Sequence, residues 1–103
     1  MKNLTMWRHG DVFIQRCAAI PTSATRLPHL ILAKGELTGH AHRIAERDAA
    51  ELFRHDDVLY LRVTGEQATI THEEHRSIAL KPGVYRAWIQ REYSPQEIRR
   101  VLD

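Results

Sequence analysis

The sequence predicts a mainly β protein: a small barrel or sandwich of about seven or eight short strands, with a short helix at the C-terminal end. Three observations lead there. Short runs rich in β-branched and aromatic residues recur along the chain. Turn signals such as Gly10-Asp11, Lys34-Gly35, Asp56-Asp57 and Pro82-Gly83 separate them. No strand–helix–strand alternation is present, which argues against a parallel α/β fold.

Each element follows from its residues. Val12-Phe13-Ile14-Gln15-Arg16-Cys17 suits a first strand, and Ile20-Pro21-Thr22-Ser23 reads as a loop. The apolar run 29–33 ends at Lys34-Gly35-Glu36 and is expected to be a strand buried on both faces. Residues 45–50 have helix formers, but their setting favours a loop feeding a strand over 51–54. His55-Asp56-Asp57 is a turn, 58–63 the clearest strand, and 67–72 a further strand after the turn at Gly65. Glu73-Glu74-His75 interrupts the pattern, and 78–80 resumes it. A long final strand is expected over 84–92. The two-residue period puts Tyr85, Ala87 and Ile89 on one face and Arg86, Trp88, Gln90 and Glu92 on the other. Ser94 as N-cap, Pro95 in the first turn and Glu97 three residues after the cap start a helix over 94–102. Its apolar stripe of Ile98, Val101 and Leu102 is expected to cover an edge or open end of the sheet.

A length of 103 residues supports one domain, 1–103, strand-rich over 10–92. Apolar residues at 43% and charged residues at 27% are a globular balance that argues against disorder. No apolar run approaches the ~20 residues that span a bilayer. The first residues lack the apolar core of a secretory leader, so a cytoplasmic location is the default expectation. Cys17 is the sole cysteine, which excludes an internal disulfide and a Cys-based zinc motif; its flanks suggest a buried small residue. A net charge of +2 with scattered arginines is a poor footprint for nucleic acid.

Seven histidines are the unusual feature of the composition. Gly39-His40-Ala41-His42 places two imidazoles on one face if the segment is a strand. Thr71-His72-Glu73-Glu74-His75 supplies a second pair, which a turn or bulge must bring together. Gln90 and Glu92 share a strand face and could add to a site drawn from three strands. Imidazoles with a carboxylate or amide suit a divalent transition metal: Zn²⁺, Fe²⁺, Ni²⁺, Mn²⁺ or Cu²⁺. The absence of thiolates favours an open, ligand-binding site over a purely structural one. His9, His29 and His55 read as structural or solvated. No phosphate-binding glycine loop and no GxSxG motif is present, and Ser23 and Ser77 show no sign of activation.

The segment His40-Ala41-His42-Arg43-Ile44-Ala45-Glu46 resembles the first motif of the cupins, in which HxH is followed by a glutamate. That resemblance implies a jelly-roll barrel with a divalent metal inside, held by His40, His42 and Glu46. The second cupin motif carries a histidine after a Pro-x-Gly turn. Here Pro82-Gly83 is present without that histidine, so His72 or His75 would have to replace it. The succession GHAH, THEEH, PGVYR and QREY is also similar to small bacterial proteins that have no assigned activity.

The leading expectation is a metal-dependent small barrel acting on a small anionic molecule. His40, His42, His72, His75 and Glu46 are its candidate ligands, and Glu74 and Glu92 its candidate acid–base groups. Arg86 and Gln90 are its candidate substrate contacts, since a guanidinium forks onto carboxylate or phosphate. The alternative is a non-catalytic binding or sensor module, with the histidines on the surface and the helix from Ser94 meeting a protein partner. Exposed sheet edges make a homodimer an expectation of either reading. No membrane association and no nucleic acid is expected.

Overall fold

The computed structural model describes residues 6–35 and 39–89. Its first element is a hairpin. Gly10-Asp11 turns the chain between β1 (Met6–His9) and β2 (Val12–Arg16), with Gly10 at φ +66°. A two-residue hairpin loop with glycine first is a favoured way to match the twist of the flanking strands. The pairing Trp7↔Ile14 and His9↔Val12 follows from it.

Eight further strands complete the described chain: β3 (Thr25–Arg26), β4 (Ile31–Lys34), β5 (Ala41–Ile44), β6 (Ala50–His55), β7 (Val58–Val63), β8 (Ala68–Thr71), β9 (Ile78–Leu80) and β10 (Gly83–Ile89). Their order is β1-β2-β10-β7-β6-β3 in one antiparallel sheet and β4-β5-β8-β9 in the other. The β6–β7 hairpin turns at Asp56-Asp57, where Asp56 takes a left-handed φ of 55°. Aspartate tolerates that conformation better than most residues.

The described part is thus a two-sheet sandwich and not a closed barrel. The outer strands β4 and β9 of the smaller sheet pair with no strand of the larger one, so the hydrogen-bond ladder does not close. Among the described residues ten strands stand where seven or eight are expected. The two that the pattern does not announce are β1, which lies before Gly10, and the two-residue β3, which pairs with Arg54 and Phe53. The strand predicted over 29–33 begins at Ile31. As an outer strand it buries only Leu32 fully, not both faces. The segment 45–50 holds no helix, as expected from its setting, and β6 begins at Ala50. The helix predicted over 94–102 lies outside the described residues. Among the described residues no helix is long and apolar enough to cross a membrane.

The two sheets meet over one apolar core. Alternate residues of the larger sheet face inward: Val12 and Ile14 on β2, Leu52 on β6, Leu59, Leu61 and Val63 on β7, Tyr85 and Ala87 on β10. Leu32, Ile44, Ala68, Ile70 and Leu80 meet them from the smaller sheet. The period of two holds for β10 over 85–88, with Tyr85 and Ala87 buried and Arg86 and Trp88 more exposed, whereas Ile89, expected on the Tyr85–Ala87 face, is 41% exposed at the strand end. Tyr85 is fully buried because its hydroxyl donates to the Lys81 carbonyl at 2.6 Å, leaving no orphan polar atom. Trp7 packs edge-on against it, with centroids 5.6 Å apart. Cys17 is half-buried at the end of β2, and burial raises its thiol pKa, so it is not an activated nucleophile.

Ile14, fully buried at the centre of β2, tests this packing. Ile14→Ala is expected to lower stability by about 2–5 kcal/mol. Calorimetry should show the midpoint falling by on the order of 10 °C or more. A loss below about 1 kcal/mol would mean that the inner face of β2 is not packed.

Candidate metal centre

One end of the sandwich is not apolar. His9, the last residue of β1, pairs with Val12 and so shares its inward face. It is 2% exposed. Across from it on the other sheet, His42 of β5 is 6% exposed. His40 lies just ahead of β5, after Gly39 at φ +73°. His72 and His75 lie on the connection between β8 and β9. The ring centroids are 4.9 Å apart for His9 and His42, 4.4 Å for His42 and His72, and 4.6 Å for His72 and His75. His40 joins through His72, at 5.5 Å.

The rings also bring their nitrogen atoms together. One ligand atom each from His42, His72 and His75 lie within 4.8 Å of one another. His40, His72 and Glu73 form an overlapping group with the same spread. The backbone of the first hairpin closes tightly on this cluster. A Cβ at Gly10 would stand 2.9 Å from His75 Nε2 and 3.0 Å from His42 Cε1, so the position requires glycine on steric as well as conformational grounds.

Hydrogen bonds fix the parts relative to each other. His9 Nε2 lies 2.7 Å from the Arg76 carbonyl, and His9 Nδ1 lies 2.8 Å from His42 Nδ1. The Ala41 amide donates to Glu73 Oε1 at 3.0 Å, tying the β8–β9 connection to the start of β5. The Glu74 amide donates to His72 Nδ1 at 2.9 Å. Carboxylates stand at the rim: Glu74 Oε1 is 3.5 Å from His40 Nδ1, and Asp11 Oδ1 is 3.7 Å from His42 Nε2. An open cleft of about 510 Å³ lies in front, lined by Arg8, Asp11, Lys34 and Glu74 together with His40, His42, His72 and His75.

Burial keeps the inner imidazoles neutral. It is the largest cause that lowers the His42 pKa to about 4, with the neighbouring His72 and His9 adding to it and Asp11 opposing. The His9 pKa is lowered by the same desolvation, against the pull of the Arg76 carbonyl. Neutral imidazoles have a lone pair to offer, which is the form that binds metal. The Glu73 carboxyl is held below its usual range chiefly by the Ala41 amide.

The structure therefore brings together four of the five predicted ligands, His40, His42, His72 and His75, with Glu74 on the same cleft. Glu46 does not join them. Its two oxygens accept from the Thr69 amide at 2.7 Å and the Thr69 hydroxyl at 2.6 Å, which also lowers its pKa. Arg86 stands elsewhere too: it donates to Gln15 at 2.8 Å, lies over the Trp88 ring, and does not line the cleft, where Arg8 and Lys34 are the cations. Gln90 and Glu92 lie outside the described residues. A wholly surface array of histidines does not match the burial of His42.

His9 is the residue that the sequence reading missed. The signal was present, since reading Gly10-Asp11 as a two-residue hairpin loop places His9 opposite Val12 and hence on the inward face. A family model described as a domain of unknown function, DUF8820, matches residues 8–90. The chain belongs to that family. The DUF8820 match takes in the cluster from His9 to His75 and nearly the whole sandwich. No curated protein and no solved structure matches the chain.

The lowered pKa values give a pH dependence whose sign is fixed. Unfolded histidine titrates near 6.5, whereas folded His42 does so near 4 and folded His9 below its unfolded value. Between those values the unfolded chain binds more protons, so the stability contributed by these groups is full above about 6.5 and lost as pH falls towards 4. Chelator-treated protein is expected to show a falling denaturation midpoint from pH 7 to pH 4. His42→Phe should flatten that slope. A midpoint independent of pH in this window would show that these imidazoles are not held neutral by the fold.

Proposed function

We propose that this protein binds one divalent transition metal ion through His42, His72 and His75, with an open coordination position facing the cleft. The observation that carries the reading is the convergence of three imidazole nitrogens within 4.8 Å, contributed by two separate segments of the chain. Three protein nitrogens with a vacant position are the donor set of ligand-binding and catalytic zinc sites rather than of closed structural ones. The same donors suit Fe²⁺, Ni²⁺ and Mn²⁺. His42, His72 and His75 are favoured over the group that includes Glu73 because all three line the cleft and Glu73 does not. His40 with Glu74, and Asp11 beside His42 Nε2, are the polar groups that line the same cleft.

The charges of the cleft favour an anionic ligand. The three imidazoles are neutral donors, and Arg8 and Lys34 are balanced by Asp11 and Glu74. The ion's own charge is then uncompensated, and a small carboxylate or other oxyanion supplies the missing negative charge. A bound ion polarises an oxygen of its ligand or lowers the pKa of a water. Glu74 is the group placed to exchange a proton there. We assign it that role; Arg86, the candidate substrate contact, and Glu46, the candidate ligand, stand away from the cleft.

Elemental analysis tests the metal directly. Protein incubated with Zn²⁺ and desalted is expected to keep about one zinc per chain. His42→Ala should lose it. At a free Zn²⁺ concentration 100-fold above the dissociation constant, binding should add about 2.7 kcal/mol to stability, visible as a raised midpoint that chelator reverses. A wild-type chain that retains no Zn²⁺, Fe²⁺, Ni²⁺ or Mn²⁺ overturns the reading.

A second expectation concerns His72. Its Nδ1 accepts the Glu74 amide, so the neutral ring carries its proton on Nε2. To bind an ion through either nitrogen it must give up that hydrogen bond. Zn²⁺ is therefore expected to shift the Glu74 amide resonance and speed its hydrogen exchange. An unchanged Glu74 amide in the zinc-loaded protein would exclude His72 from the ligand set.

A further inference from the structure

His9 makes two ring contacts that together fix a proton pattern. Its Nε2 is 2.7 Å from the Arg76 carbonyl oxygen, which can only accept, so Nε2 carries the hydrogen. A neutral imidazole has one N–H, which leaves His9 Nδ1 as an acceptor. His42 Nδ1, 2.8 Å away, must then be the donor. It follows that His42 holds its proton on Nδ1 and has its lone pair on Nε2. Both residues are buried, which favours these contacts over contacts with bulk water.

We infer that His9 is a positioning residue of the metal centre: the relay from Arg76 through His9 locks His42 in the tautomer whose Nε2 binds the ion. This rests on the metal reading proposed above. Histidines that bind metal usually donate their second N–H to a carboxylate, a backbone carbonyl or water, which fixes the tautomer and ring orientation. Here an imidazole takes that acceptor's place, and the backbone carbonyl of Arg76 stands one step further out. The relay also joins three pieces of the fold. His9 is on the larger sheet, His42 on the smaller one, and Arg76 follows the turn that carries His72 and His75. Of the described histidines, His9 and His42 are the buried ones, and each is the other's partner. A neutral acceptor has a consequence of its own. A carboxylate in place of His9 would bring a charge into a closed space, whereas an imidazole supplies the lone pair without one.

The ring protons of metal-free wild-type protein at neutral pH test the relay without any variant. Long-range ¹H–¹⁵N correlation is expected to show His9 protonated on Nε2 and His42 on Nδ1. His42 protonated on Nε2 overturns the inference even if the protein binds zinc. Correct tautomers in a chain that binds no Zn²⁺ leave the relay standing and overturn the metal reading instead, and with it the purpose assigned to His9. Two variants then test the consequence for affinity. His9→Phe keeps an aromatic ring and removes the acceptor, and the Zn²⁺ dissociation constant should rise ~10–100-fold. His9→Asn offers an amide oxygen where Nδ1 stands, and should recover most of that loss. Equal losses in both, in variants whose circular dichroism matches wild type, or no loss in His9→Phe, would show that His9 only fills space.

Discussion

Two imidazoles meet where a sandwich of this size would ordinarily place aliphatic side chains. His9 from the six-stranded sheet and His42 from the four-stranded sheet are hydrogen-bonded at 2.8 Å, both withdrawn from water. Burying such groups is costly unless their hydrogen bonds are satisfied. Here the His9–His42 bond and the Arg76 carbonyl satisfy three of their four ring nitrogens, and the fourth, His42 Nε2, faces the cleft side near Asp11. The positions of Gly10, of the β8–β9 connection and of the cleft all follow from this contact. A pair of leucines would hold the sheets together as well or better, so stability alone does not explain the arrangement. Violations of that kind are expected at functional sites.

The apolar core makes the polar end affordable. Ile14, Leu52, Leu61, Ile70, Leu80 and Tyr85 are each almost wholly buried and lie behind the cluster, so the sheets are registered before any imidazole is considered. Packed interiors resist deformation. The consequence for the proposed metal centre is that His42, on a strand of that core, would be a fixed ligand. His72 and His75 belong to a turn that is held by its own tethers, through Glu73 to Ala41 and through Arg76 to His9. The proposed centre therefore draws one ligand from a strand of the core and two from a tethered turn, where an ion would compete with the Glu74 amide for His72.

Much of the fold was legible in the sequence because the two-residue period is local. Strands β2, β7, β9 and β10 stand where alternation and turn residues put them, and so does the split of β10 into a Tyr85–Ala87 face and an Arg86–Trp88 face. The two histidine pairs were legible as spacing. Their convergence was not, because it depends on which sheet each segment enters. His40 and His42 are joined less by the strand period than by His72, which stands near both, and β5 begins only at Ala41. Glu46 was misplaced by motif: the spacing from His42 matches, but Thr69 on the neighbouring strand captures its carboxylate first. Arg86 stands on the face that the alternation gives it, opposite Tyr85 and Ala87, but that face does not line the cleft.

His9 shows where local reading ended and why. A histidine just outside a predicted strand looks solvated when its segment is taken alone. Its burial follows only from pairing, because the Gly10-Asp11 loop carries the inward face of Val12 across to its partner. The same loop brings Gly10 so close to the cluster that a Cβ there would stand 2.9 Å from His75 Nε2. One short hairpin thus supplies the acceptor for His42, the wall of the cluster and, through Asp11, a carboxylate at its rim. These three contributions come from consecutive residues that are unremarkable one by one. They act together only because a glycine at positive φ lets β1 fold back on β2 with no residue to spare.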